Sequence, residues 1–119
     1  MELRFEERDG ILIVRVEGTE LGADAAEEVR RALLGGMGAH AFVILDLSTV
    51  TFMDSSGLGV LVAAMKALRG RGELRLIRVQ PLIRELFSLT GLNRVFLVDS
   101  DETTAAAALD GARKRNSAA

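Results

Sequence analysis

Asp54-Ser55-Ser56 is the one group of residues in this chain whose types and spacing suggest chemistry. Upstream lies an unbroken apolar segment, Phe42-Val-Ile-Leu-Asp-Leu47, short and rich in branched residues, which reads as a buried strand. Downstream, Leu58, Leu61, Val62, Met65 and Leu68 recur at helical spacing. Two hydroxyls and a carboxylate therefore stand where a strand ends and a helix begins. The first turn of a helix carries unpaired N–H groups and a partial positive charge, so a phosphate is tolerated there. Taken alone, such a triplet is a helix cap. As chemistry it suits a regulatory serine at position 55 rather than a catalytic one.

Other candidate sites weaken on inspection. A catalytic serine needs a base, and the single histidine, His40, falls in a glycine-rich connection where an exposed loop residue is expected. Asp-Ser-Ser-Gly is not the G-x-S-x-G elbow. Gly57-Leu-Gly59 lacks the third glycine of a dinucleotide loop, and Gly35-Gly-Met-Gly38 has no following Lys-Ser/Thr. Glu6-Glu7 and Glu27-Glu28 have no metal-ligand pattern and read as solvated faces. Arg69, Arg71, Arg75 and Arg78 read as solvated loop and strand positions, with Arg75 and Arg78 pointing outward. Met53 and Met65 read as core, and Asp46 as a buried polar strand residue near the Ser55 rim.

A chain of 119 residues, 49% apolar and 27% charged, suits one globular domain with a real core. A net charge of -2 without Trp or Tyr offers nucleic acid neither an electrostatic track nor stacking platforms. The absence of cysteine removes disulfides, thiol nucleophiles and thiolate metal sites, in keeping with a reducing cytoplasm. The acidic start, Met1-Glu-Leu-Arg-Phe-Glu-Glu, has no apolar signal core. The longest apolar run, Gly57 to Met65, is roughly half of the ~20 residues that span a bilayer, so no membrane anchor is expected.

Alternating residues 2–7 read as an edge strand, Asp9-Gly10 as a hairpin turn and Ile11–Val16 as the more buried return strand. Gly18 to Gly22 reads as a loop. Ala23, Ala26, Val29, Leu33 and Leu34 follow a helical period; Asp24 assists the start, and Gly35-Gly36 and Gly38 end it. After the strand at 42–47 and the helix at 56–69 come a strand at 73–79, a helix opened by Pro81 and stopped at Gly91, and a short strand at 95–98. Ser100-Asp-Glu opens a last helix closed by Arg113-Lys-Arg. The expected class is α/β: a mixed, mostly parallel sheet covered by about four helices, in the order ββαβαβαβα. Residues 1–115 form one domain and 116–119 a frayed tail. Right-handed crossovers put the Ser55 turn on the carboxyl rim of the sheet.

Leu45-Asp-Leu-Ser-Thr-Val-Thr-Phe-Met-Asp-Ser-Ser-Gly-Leu-Gly59 resembles the signature of STAS domains, and closely that of bacterial anti-sigma factor antagonists. The stretch from Pro81 to Gly91-Leu92 is similar to a second conserved segment of that family, so the resemblance spans nearly the whole chain. It implies a cytoplasmic regulator that is not an enzyme; the sequence itself shows no motif for a cofactor, so none is expected. An anti-sigma factor with a histidine-kinase-like ATPase fold would bind the unphosphorylated chain and release its sigma factor. The same kinase would phosphorylate the serine after the motif aspartate, Ser55, and a PPM-type serine phosphatase would reverse this. Asp54, Ser56, Gly57, Leu58 and Asp24 would form the partner-binding surroundings, with Ser56 in a capping role. One departure stands out: Gly22 occupies the place of a family aspartate after the second strand, with Asp24 as the nearest substitute. The expected state is monomer or weak dimer.

A phosphate adds about -1.5 to -2 charges at pH 7. Each unit facing an acidic group ~5 Å away costs on the order of 3 kcal/mol at an effective dielectric of about 20, roughly a hundredfold in affinity. The other reading from the resemblance is a STAS scaffold or adaptor, such as a stressosome component or a partner-switching regulator of a non-sigma output. A serine or nucleotide hydrolase lacks both its base and its phosphate loop.

Overall fold

The computed structural model describes residues 1–118. Strands β1 (Glu2–Arg8) and β2 (Ile11–Glu17) form an antiparallel hairpin in which Arg8 faces Ile11. Its turn is Asp9-Gly10, both with positive φ (55° and 81°), the conformation that matches strand twist in a two-residue loop. Helix α1 (Ala23–Met37) then leads to β4 (Phe42–Asp46), with the two-residue strand β3 (Glu20–Leu21) between β2 and α1. Next come β5 (Phe52–Met53), α2 (Ser55–Leu68), β6 (Glu73–Ile77), α3 (Pro81–Thr90), β7 (Leu97–Asp99) and α4 (Glu102–Ala118).

The main sheet runs β1-β2-β4-β6-β7, parallel except for the first pair. β4 is central and buried throughout, which is why its sequence shows no alternation. Val43 and Leu45 face a core shared with α1, α2 and α3, and Phe42 and Ile44 face a smaller one under α4. In the larger core Phe87 and Phe96 meet edge to face, 5.0 Å between ring centres. The α4 side is held by Leu109 together with Ala105 and Ala112, two small residues that let the helix lie close to the sheet.

Several elements depart from the sequence expectation. Helix α1 runs through Gly35 and Gly36 and stops only at Gly38, whose φ is 51°. Met37 is buried one turn beyond Leu33, so packing carries the helix over both glycines. At Gly36 a Cβ would overlap the ring of Phe5, which crosses the helix from β1. Residues 18–22 are not all loop, because β3 pairs in parallel with β5; two-residue strands leave no periodicity to read. The last strand begins at Leu97 rather than Val95, since Leu92–Arg94 forms a 3-10 turn after the left-handed Gly91. Helix α4 continues to Ala118 with no glycine or proline after Gly111 to stop it, so residues 116–118 extend it, and Ala119 lies outside the described residues. Arg78 is exposed, whereas Arg75 is half-buried between the carboxylates of Glu73 (2.9 Å) and Asp99 (3.4 Å).

His40 is also not a free loop residue. Its Nδ1 lies 3.1 Å from the carbonyl of Met37 and its Nε2 lies 2.5 Å from Glu7 Oε1 on β1. Both ring nitrogens face acceptors, and only the imidazolium donates from both. The Glu7 hydrogen bond accordingly raises the His40 pKa above its ordinary value near 6.5. A raised folded-state pKa gives stability that is complete below the unfolded pKa and fades as pH rises through the folded one. Replacing His40 by Gln should therefore lower the melting temperature by a few degrees at pH 6 and by less at pH 8.5, the pair contributing about 0.5–1 kcal/mol at a partly exposed site. Thermal unfolding followed by circular dichroism at the two pH values checks this; a difference that grows with pH would contradict the imidazolium assignment.

Candidate functional site

The site forms where the chain leaves β4 and turns into α2. Asp46 ends β4 and is buried, with Oδ2 accepting from Arg15 Nη1 at 3.0 Å and Oδ1 from the Ser48 amide at 2.9 Å. Arg15 also reaches Glu102 at the start of α4, 2.8 Å away. The loop that follows is pinned from three sides. Thr49 Oγ1 lies 2.9 Å from the carbonyls of Val16 and Gly18, Gln80 Nε2 donates to the Ser48 carbonyl at 2.6 Å, and the Thr51 and Phe52 amides donate to the Thr19 carbonyl at 2.8 and 3.0 Å. Arg15, Thr49 and Gln80 escaped the sequence reading; only Thr49, a polar residue between buried Leu47 and Val50, left a local trace.

Asp54 is the N-cap of α2. Its Oδ1 accepts from the amides of Ser56 (2.9 Å) and Gly57 (3.1 Å), and its Oδ2 from the amide of Ala23 at the start of α1 (3.0 Å). Hydrogen bonding, from Gly57 first and then from Ala23 and Ser56, holds its carboxyl below the usual aspartate range, so it is ionised at neutral pH. Two of the first-turn amides expected to await a phosphate are thus already taken. The cap expected of Ser56 is likewise supplied by Asp54.

Ser55 is the first residue of α2 and is exposed, as is Ser56. Asp24 is exposed in the first turn of α1, where its charge suits the helix N-terminus, but the acceptor that starts that helix is Asp54. Gly57 and Leu58 are buried, so they set the turn against the core rather than contributing surface. A Cβ on Gly57 would overlap the carbonyl oxygen of Leu21 in β3, whereas one on exposed Gly59 would meet nothing. Phe52 is 48% exposed beside this turn. A cavity of about 370 Å³ opens next to it, rimmed by Glu20, Asp24 and Asp54. That acidic rim repels an anionic ligand, and no three His, Cys, Asp or Glu residues among those described are grouped to hold a metal. No helix of the described residues is long and apolar enough to cross a membrane.

Comparison with known proteins points one way. The model of the STAS domain family matches residues 2–107. A protein of Bordetella bronchiseptica, BtrV, named as a candidate anti-sigma factor antagonist, is 34% identical over 117 residues, covering 97% of this chain and all of its own. The anti-sigma-B factor antagonist of Listeria monocytogenes is 35% identical over 104 residues, 86% of this chain and 91% of that protein. Among solved structures, an anti-sigma factor antagonist from Mycobacterium paratuberculosis superposes with a TM-score of 0.82 at 26% identity, covering 92% of this chain and 93% of the other.

The two glycines beside the turn should separate in a stability measurement. Gly57→Ala forces the first turn of α2 away from β3 and should destabilise the fold by about 1–3 kcal/mol, as overpacking does. Gly59→Ala meets open space in a helix interior and should be neutral or stabilising by up to about 1 kcal/mol. Urea unfolding of both variants checks the contrast; equal effects would mean that close approach to Leu21 does not set the requirement at position 57.

Proposed function

The chain belongs to the STAS domain family, and on that footing we propose that it is an anti-sigma factor antagonist acting by partner switching in the cytoplasm. Unphosphorylated, it docks on an anti-sigma factor of the histidine-kinase-like ATPase fold and so frees the sigma factor. That kinase then modifies Ser55. The serine oxygen bonds to the γ-phosphorus of ATP, the bond to the leaving ADP breaks, and the hydroxyl proton passes to a base on the kinase. A PPM-type phosphatase restores the hydroxyl by hydrolysis. The chain is ligand and substrate throughout, and the catalysts are its partners.

The observation that carries this reading is the exposure of Ser55 at the first position of α2. A phosphate added there meets water and disturbs no buried contact. Because Asp54 already occupies the Ser56 and Gly57 amides, those donors do not absorb the new charge. The dianion instead adds to the negative charge of this face and puts new bulk on it, so that docking of a partner is weakened by electrostatics and sterics without unfolding the domain. The named relatives, antagonists of anti-sigma factors, support the same assignment.

Capture from the native cell identifies the kinase, and titration calorimetry then tests the switch. Ser55→Ala should bind with wild-type affinity and stay bound in the presence of ATP. Ser55→Asp should bind on the order of a hundredfold more weakly. Equal affinity for the two variants would overturn the proposal.

A further inference from the structure

We infer that Asp54 is a positioning residue for the phosphoacceptor: its carboxylate caps two helices at once and so fixes Ser55 relative to α1. The inference rests on the reading of Ser55 as phosphoacceptor.

Helix α1 begins without a side-chain cap of its own, because its N-cap residue is Gly22. The missing acceptor comes from 31 residues downstream, where Asp54 Oδ2 takes the Ala23 N–H. The other oxygen serves α2 through Ser56 and Gly57. Gly22 leaves the room for this. A Cβ at that position would stand 3.0 Å from Asp54 Oδ2 and 3.2 Å from the Phe52 ring, so any side chain there would press on both. The bare residue at 22 and the carboxylate at 54 therefore act as one device, a cap supplied across the fold. Ser55 is the next residue after that carboxylate, and its direction follows from where α2 starts. A kinase that docks against this face meets the hydroxyl in one place, and phosphoryl transfer depends on that registration more than on binding.

Asparagine separates the two duties. With its oxygen toward Ser56 and Gly57 it keeps the α2 cap but turns an NH2 toward the Ala23 N–H, donor against donor. Ala23→Pro breaks the clamp from the other side, at the first helical position, where proline is best tolerated. Gly22 before it is already extended (φ -122°, ψ -167°), as a residue preceding proline should be. The Pro ring takes the place of the N–H and displaces Oδ2.

Phosphorylation of Ser55 by the kinase that the wild-type chain captures, with saturating ATP and the chain as varied substrate, provides the test. Both variants should lower kcat by roughly tenfold to a hundredfold, with KM for the chain changed by less than about twofold, the signature of misplacement. Hydrogen exchange of the Ala23 amide in the isolated Asp54→Asn chain should be at least about tenfold faster than in wild type. A raised KM with kcat intact would make Asp54 a direct recognition contact and overturn the inference, as would unchanged kinetics or unchanged exchange at Ala23. Those outcomes leave Ser55 as the acceptor. A wild-type chain that gains no phosphate on Ser55 would instead remove the functional reading and this inference with it.

Discussion

The first turn of α2 lies against the backbone of β3 with no side chain between them, and the geometry of the site depends on that approach. Gly57 makes it possible, since a single methyl group would collide with the Leu21 carbonyl. Once the turn is seated there, Asp54 reaches the start of α1 as well as α2, and β5 falls into register with β3. Leu58 and Leu61 enter the core, which leaves Ser55 and Ser56 on the outside. The exposure of both hydroxyls is thus a consequence of packing on the opposite side of the same helical turn.

The two faces of the sheet divide the work. Three helices and most of the large apolar residues form one core, and the site stands at its rim. The other face carries α4 on a thinner layer of alanine, leucine and isoleucine, tied at its start by Arg15, which joins Asp46 to Glu102. Asp46 is the sole polar or charged residue buried among those described, and its partners account for both its oxygens. The same carboxylate begins the Ser48–Val50 turn that leads to the site, so an ion pair on the α4 face helps aim the loop that serves the other one.

Charge at the rim is negative, and its nearest amide donors are already engaged. The carboxylate of Asp54 spends the nearby amides, and Glu20 and Asp24 add to the negative field. A phosphoryl group arriving at Ser55 would find few donors on its own chain.

The sequence by itself determined the α/β class, the order of the main-sheet strands and the four helices, the hairpin at Asp9-Gly10 and the strand-to-helix turn that carries Ser55, because each leaves a local mark in periodicity, turn chemistry or motif. Asp46 was legible for a similar reason, a lone carboxylate inside an apolar run. Only the tertiary structure decided that Asp54 serves α1 as well as α2, that Gly22 and Gly57 are spaces for neighbours, and that α1 continues over Gly35 and Gly36. It also paired β3 with β5, tied His40 to Glu7 and placed Arg15 on Asp46. Each of these joins residues distant along the chain, and a hydrogen bond or a close approach between them imposes no pattern on the residues in between.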